Sequence, residues 1–173
     1  MNYTRPLLWL IVAATVLTGA AACVSPPEYP DEPVIEFAGL SKPTIYQFTN
    51  GPRDSVTLSI DFTDGDGDLS IVDSTDIFLR SSQFDEITLP INLPEIPREG
   101  TGNGISGTIE IDLINTALDI CCIRMRGSRI ETCIEDAGMP TDTVSFSIQV
   151  RDRAGNRSNV VRTEPITILC LGQ

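Results

Sequence analysis

The chain has 173 residues, with 24 acidic and 12 basic side chains, a formal net charge of −12 and no histidine. Its length and its 41% hydrophobic content suit a single globular domain. The lack of histidine excludes Ser-His-Asp and Cys-His catalytic sites, HExxH zinc sites and histidine-ligated haem. The strong negative charge, with no basic patch in the sequence, also argues against nucleic acid as a partner, because phosphates would be repelled.

The N-terminus has the organisation of an export signal. Arg5 provides a short positive region, an apolar stretch follows, and small residues at 19–22 precede Cys23. The apolar stretch is short for a membrane span, which needs about 20 residues. The small residues before Cys23 resemble a bacterial lipobox, although Ala20 stands where that pattern prefers Leu. We therefore predict a lipoprotein signal peptide at 1–22, with an ordinary secretory signal as the alternative.

A lipid on Cys23 would fix the protein to a membrane, since two or more acyl chains give stable anchoring. Residue 24 is Val, so the Asp that retains lipoproteins of enteric bacteria in the inner membrane is absent. We expect the outer membrane, on its periplasmic or its surface face. Residues 23–33 contain the lipidated cysteine and a proline-rich linker, and residues 34–173 form the predicted domain.

Four further cysteines, Cys121, Cys122, Cys133 and Cys170, are disulfide candidates. In an exported chain, an even number of cysteines is typical of a disulfide framework. A bond between the two adjacent cysteines would be strained, because their Cα atoms lie only about 3.8 Å apart. One of that pair is therefore expected to bond Cys133 and the other Cys170. A zinc site is the alternative, although two CxxC pairs are lacking.

The remainder of the chain has the two-residue period of β-strands. The strongest alternation covers 55–62, 108–113 and 144–151, and weaker strand signals cover 34–38, 44–48, 76–80, 86–92, 117–125 and 159–169. Polar turns separate these segments, and helical periodicity is nearly absent. We predict an all-β fold, a single antiparallel Ig-like β-sandwich of about seven to nine strands.

Asp64, Asp66 and Asp68 alternate with glycines directly after the strand at 55–62. Carboxylates this close raise one another's pKa unless a cation neutralises them. Ca²⁺ takes six to eight oxygen ligands, and a loop of this kind wraps closely around such an ion. The three aspartates are therefore candidate Ca²⁺ ligands. A solvated acidic turn is the alternative, because Asp-Gly pairs also favour hairpins.

The spacing matches only the first half of an EF-hand loop. Leu69 stands where that loop has Gly, and Thr75 stands where it has the bidentate Glu. An EF-hand is therefore excluded. Asp73, a candidate ligand, or Asp76 would have to close a calcium loop of a different kind.

Asp152, Gly155 and Asn156 form a predicted structural turn within the sequence DRAGN. Gly155 and Asn156 tolerate the positive φ angles of a tight turn, and Asp152 is suited to accept hydrogen bonds from the turn backbone. A catalytic role has little support here.

If 55–63 and 143–151 are the second and sixth strands of a sandwich, the loops that follow them emerge at the same end. The aspartate loop (Asp64–Asp68) would then face the Asp152 turn. Asp152 would add a ligand to a shared ion, or Arg151 or Arg153 would neutralise the acids without a metal.

The DRAGNRSN sequence resembles the final hairpin of bacterial Ig-like or fibronectin-III-like domains. Together with the lipobox, the proline spacer and FTDGDGDLS, the chain is similar to small Bacteroidetes-type cell-envelope lipoproteins. These carry a comparable FTDGDGDLG segment, whose last glycine is replaced by Ser70 here. The resemblance implies a fold and a location and carries no established activity.

We expect a non-enzymatic binding or scaffold module, with Ca²⁺ as its one candidate cofactor. Its expected partners are the membrane, reached through Cys23, and an envelope protein or glycan. One alternative is a glycosidase-like hydrolase with paired carboxylates, although the acids lie in one loop and aromatic residues are few. The other alternative is a structural subunit of a larger envelope assembly.

Overall fold

The computed structural model describes residues 28–47, 53–69, 76–84, 88–91, 93, 104–116, 119–133 and 138–170. The predicted signal peptide at 1–22, Cys23 and Asp73 lie outside these ranges. The described residues form an all-β structure without a helix. Accordingly, none of them belongs to a helix long and apolar enough to cross a membrane.

Twelve strands occur within the described ranges. They are β1 (Val34–Leu40), β2 (Thr44–Tyr46), β3 (Ser55–Asp64), β4 (Ile77–Ser81), β5 (Thr88–Ile91), β6 (Ile105–Ile114), β7 (Ile123–Arg126), β8 (Arg129–Thr132), β9 (Thr141–Val144), β10 (Phe146–Val150), β11 (Val161–Arg162) and β12 (Ile166–Leu169). Their orders in four sheets are β1-β3-β6, β11-β10-β4-β5, β2-β12-β9 and β7-β8.

Strand β3 shows how the two-residue period produces a buried face. Val56, Leu58 and Ile60 are fully buried, while Thr57 and Ser59 between them are only half-buried. The strand pairs with β6 without a register shift, from Ser55 opposite Ile114 to Asp64 opposite Ile105. The strand predicted from the alternation at 55–62 is thus present and is two residues longer.

The architecture differs from the prediction in strand number and in one strand direction. The described ranges contain more than seven to nine strands, partly because the predicted segment 159–169 is divided into β11 and β12. The division falls at Pro165, which lacks the backbone N–H that a continuous ladder requires. In addition, β2 pairs with β12 in parallel, although an entirely antiparallel fold was expected. The two strands lie far apart in sequence, so no short hairpin forces them to run in opposite directions.

One cluster of buried apolar side chains joins the three larger sheets. It contains residues of β1, β2, β3, β4, β6, β9, β10 and β12, with Phe146 among the largest fully buried side chains. A shared core of this kind makes the sheets depend on one another for their burial.

Two disulfides connect the four cysteines. Cys121 bonds Cys133, with Cα atoms 5.0 Å apart, and Cys122 bonds Cys170, with Cα atoms 5.8 Å apart. Cys122 and Cys170 are completely buried in the core. Because the disulfides use all four thiols, the zinc alternative for these cysteines is wrong.

Candidate metal centre

Two aspartates continue the buried faces of core strands. The inward alternation of β3 runs through Ile60 and Phe62 to Asp64, which is 0% exposed. The alternation of β10 likewise runs through Val150 to Asp152, which is also 0% exposed. The strand periodicity therefore places carboxylates where apolar side chains would otherwise continue the core.

The aspartate loop folds back on itself directly after β3. One oxygen of Asp64, Oδ2, accepts a 2.8 Å hydrogen bond from the backbone N–H of Asp68. Gly67 has φ of +69°, a conformation that side-chain-bearing residues rarely adopt. These two features return the chain so that Asp68 lies beside Asp64.

The turn after β10 is held by Asp152 and Asn156. Asp152 Oδ1 accepts a 2.7 Å hydrogen bond from the backbone N–H of Asn156, and its Oδ2 accepts one of 2.8 Å from Asn156 Nδ2. Gly155 has φ of +94°. A further hydrogen bond of 3.2 Å, from the Arg153 N–H to the Asp68 carbonyl oxygen, joins this turn to the aspartate loop. The two loops therefore lie together.

One carboxylate oxygen from each of Asp64, Asp68 and Asp152 lies within 4.8 Å of the corresponding oxygens of the other two. We call these three residues the aspartate triad. All three are buried, with Asp68 the most accessible at 7% exposed. Oδ1 of Asp64 and Oδ1 of Asp68 have no hydrogen-bond partner. Buried oxygens without partners are costly, so this position is suited to a ligand that supplies positive charge.

The electrostatics of the triad also favour a ligand that supplies positive charge. Burial, followed by the charge of Asp66 and then of the other triad members, raises the pKa of Asp64 to about 6. Burial also raises the pKa of Asp68, with further contributions from Asp66 and Asp152. Each of these causes disfavours the ionised carboxylates. A bound cation would reverse that preference.

The predicted ligands are thus only partly brought together. Asp64 and Asp68 belong to the triad, whereas Asp66 is exposed beside it. Asp73 lies outside the described residues. Asp76 is fully buried, and its carbonyl oxygen accepts a 2.8 Å hydrogen bond from the Arg151 N–H.

The sequence predicts Asp152 as part of a structural turn and also as a possible further ligand of an ion shared with the aspartate loop. The structure places Asp152 in that turn and in the triad. The sequence itself indicates that Asp152 lies on the buried face, because Asp152 follows Phe146, Ile148 and Val150 in the same two-residue period. The guanidinium carbon of Arg151 lies 5.4 Å from the centre of the Phe78 ring, and neutralisation of the acids by Arg151 or Arg153 stays the alternative to a metal.

The donor set favours a hard cation. Three carboxylates provide oxygen ligands without imidazole or thiolate, which suits Ca²⁺ or Mg²⁺ better than zinc or copper. Each carboxylate oxygen of Asp152 retains a lone pair besides the one that accepts from Asn156. The exposed Asp66 and water are available as additional oxygen ligands.

The end of the predicted linker contacts the aspartate loop. The Gly65 N–H donates a 2.8 Å hydrogen bond to the Pro30 carbonyl oxygen. A Cβ at Gly65 would collide with the backbone oxygens of Tyr29 and Pro30. We call residues 28–33 the tether end, and its Tyr29 and Pro30 therefore pack against the loop that contributes Asp64 and Asp68.

Comparison with known proteins adds no identification. No family model matches the chain, and neither a curated protein nor a solved structure matches it significantly.

Proposed function

We propose that the protein is a non-enzymatic, lipid-anchored module of the cell envelope whose β-fold is stabilised by a divalent cation, preferentially Ca²⁺, at the aspartate triad. One observation carries the cation proposal. Two buried carboxylate oxygens, Oδ1 of Asp64 and Oδ1 of Asp68, have no hydrogen-bond partner, and they belong to carboxylates that cluster with the carboxylate of Asp152.

A cation accounts for the triad better than a solvated acidic turn does. A solvated turn leaves its carboxylates in water, whereas Asp64 and Asp152 are fully buried. Burying several acids without compensation opposes folding. Ca²⁺ is favoured over Mg²⁺ because it accepts irregular sets of oxygen ligands, while Mg²⁺ demands near-ideal octahedral geometry.

The geometry favours a binding role for the triad over a hydrolytic one. Glycosidases that use two carboxylates separate them by about 5 to 9.5 Å, so that a sugar and often a water fit between them. In the triad, one oxygen of each carboxylate lies within 4.8 Å of an oxygen of each of the other two, and all three residues are buried. This arrangement suits an ion more closely than a sugar ring.

Different parts of the chain support the proposed envelope location and the proposed Ig-like sandwich. The lipobox-like sequence before Cys23 supports a lipid anchor, and the prolines after it support a spacer. Two antiparallel sheets, β1-β3-β6 and β11-β10-β4-β5, contribute to one core, which supports an Ig-like sandwich.

The cation proposal is tested by thermal unfolding of the purified protein, followed by circular dichroism in millimolar Ca²⁺, Mg²⁺ or EGTA. At a Ca²⁺ concentration a hundred times Kd, binding adds about 2.7 kcal/mol. For a domain of this size, that corresponds to a Tm increase of about 5 to 10 °C. We expect the largest increase with Ca²⁺ and none for D68N.

The matched control is E36Q, which neutralises an exposed carboxylate on β1 and should retain the full response to Ca²⁺. An unchanged wild-type Tm in millimolar Ca²⁺ would contradict the proposal. The anchor has its own test, incorporation of labelled palmitate in a bacterial host, which C23A should abolish.

A further inference from the structure

The four-stranded sheet brings together arginines that are distant in sequence. Ser147 of β10 pairs with Arg162 of β11 on one side and with Arg80 of β4 on the other. Cross-strand partners have their side chains on the same face of a sheet. One row of this face therefore reads Arg162, Ser147, Arg80.

A third arginine, Arg157, lies beside the neighbouring row of the same face, which consists of Gln149 and Phe78. Gln149 pairs with Phe78, and Arg157 Nη1 donates a 3.1 Å hydrogen bond to Gln149 Oε1. The guanidinium carbon of Arg157 lies 5.0 Å from the centre of the Phe78 ring. The aromatic ring and the amide thus hold this arginine at the side of the row.

These residues line a single groove of about 650 Å³. Its volume is within the range of about 300 to 1,000 Å³ that is usual for ligand sites. The described residues that line it include the three arginines Arg80, Arg157 and Arg162, four serines and no acidic residue, in a chain with a net charge of −12.

The arginines of the row have no compensating acid in the described part of the chain. There, neither Arg80 nor Arg162 takes part in an ion pair, and both are exposed. Exposed arginines without an acid beside them attract anions. An anionic ligand that contacts them would gain charge-assisted hydrogen bonds.

We propose that this arginine groove binds an acidic polysaccharide. Neighbouring strands lie about 4.8 Å apart, so the Cα atoms of Arg80 and Arg162 are separated by about 10 Å across Ser147. That separation is close to the length of a disaccharide, so acidic groups two sugar residues apart in a polysaccharide can meet the two arginines. The hydroxyl groups of the exposed Ser82 and the half-buried Ser147 are suited to hydrogen-bond sugar hydroxyls.

Other anionic partners fit the groove less well. An acidic peptide would also present apolar side chains, but Phe78, Ile148 and Val160 are the only apolar residues among the described ones that line the groove. A lipid surface would approach a flat or convex face, whereas this site is recessed. The proposal is independent of the aspartate triad, whose residues do not line the groove.

The test is a binding titration of the full chain, solubilised in a neutral detergent, with defined polymers in EGTA. EGTA is necessary because Ca²⁺ could bridge an acidic polymer to the acidic protein. The probes are polygalacturonate, which carries carboxylates, dextran sulfate, which carries sulfates, and neutral dextran. Polyglutamate represents an acidic peptide. The comparison of the first two identifies the acidic group that the groove prefers.

We expect binding to one or both acidic polysaccharides, weakening as salt is added, and no binding to neutral dextran. R80Q/R162Q should bind at least about tenfold more weakly, since a hydrogen bond to a charged group is worth about that factor or more. The matched control, R53Q/R129Q, removes the same charge from two exposed arginines outside the groove and should bind like the wild type. The Tm values of both double variants show whether they are folded.

Three results would overturn the proposal. The first is equal binding by R80Q/R162Q and its control, and the second is that neither acidic polysaccharide binds more tightly than neutral dextran. The third is polyglutamate binding at least as tightly as the polysaccharides, which would assign the groove to an acidic peptide. None of these results bears on the Ca²⁺ response of the triad, so the two proposals fail separately.

Discussion

Replacing Asp64 by Asn should stabilise the cation-free protein at neutral pH. The carboxylate is fully buried, and burial together with Asp66, Asp68 and Asp152 raises its pKa to about 6. An amide has no charge to desolvate, and its oxygen can still accept the hydrogen bond that the Asp68 N–H donates to Asp64. Its nitrogen can also donate to a neighbouring carboxylate, which Asp64 cannot do when ionised.

The magnitude follows from the pKa of Asp64, which is 3.8 in the absence of these neighbours and about 6 in the folded protein. Between these values the folded state binds more protons than the unfolded state, so the free energy of unfolding falls as the pH rises. Each pKa unit corresponds to about 1.4 kcal/mol, so the complete loss above about pH 6 is at most about 3 kcal/mol. We expect D64N to recover about 1 to 3 kcal/mol of it, because burying the amide has a cost of its own.

The assay is chemical denaturation in EGTA, monitored by circular dichroism, from about pH 4 to pH 8. The wild type should lose stability across the range from about pH 4 to pH 6, whereas D64N should show a smaller loss and be the more stable protein at neutral pH. Adding Ca²⁺ should reverse the order, because only the wild type has the full triad. A D64N protein that is less stable in EGTA at neutral pH, with an unchanged pH slope, would refute the reasoning.

Asp54 provides a control of the opposite sign. Burial opposes its ionisation, but hydrogen bonds from Lys42 and from the backbone N–H groups of Tyr46 and Ser55 outweigh burial and lower its pKa. A carboxyl group with a lowered pKa contributes stability above its unfolded pKa, and that contribution is lost as the pH falls through the folded pKa. D54N should therefore destabilise the protein at neutral pH, with the loss disappearing in acid, and it should leave the Ca²⁺ response intact.

Two further predictions concern the disulfides and the tether end. In the chain-entropy description, the Cys122–Cys170 bond, which spans 48 residues, contributes about 4 kcal/mol, and the Cys121–Cys133 bond, which spans 12, contributes about 3 kcal/mol. We expect C122S/C170S to lower the free energy of unfolding more than C121S/C133S, and denaturant titration checks the order; an equal or reversed order would contradict it. G65A should displace the tether end, because a Cβ there collides with its backbone. Limited proteolysis should then cut the N-terminal segment faster than in the wild type, and an unchanged cleavage rate would contradict the packing.

Much of the fold was predictable because the strands have a strict two-residue period. In β3 and β10, hydrophobic and polar residues alternate without interruption, so the buried face follows directly from the sequence. The disulfide partners were limited to two pairings by the geometry of adjacent cysteines. The parallel pairing of β2 with β12 was not predictable, since strand direction depends on the path of the chain between them.

The candidate site, like the fold, was predictable from the sequence only in part. The aspartate loop was recognisable from the local spacing of Asp64, Asp66 and Asp68, but the roles within it depend on burial. Asp66 is exposed, and Asp152 comes from a loop more than eighty residues away in sequence and completes the triad. The arginine groove has no local signal, because strand register alone brings Arg80 and Arg162 to either side of Ser147.

Isothermal titration of the purified protein with Ca²⁺ at neutral pH tests the central claim most directly. If the triad holds a cation, the wild type should bind one Ca²⁺ per chain with a Kd below about 1 mM, the weak limit for extracellular calcium modules. D64N and D152N should lose this binding, while E36Q should keep it. Absence of saturable binding in the wild type, or equal binding by D64N, would contradict a cation site at Asp64, Asp68 and Asp152.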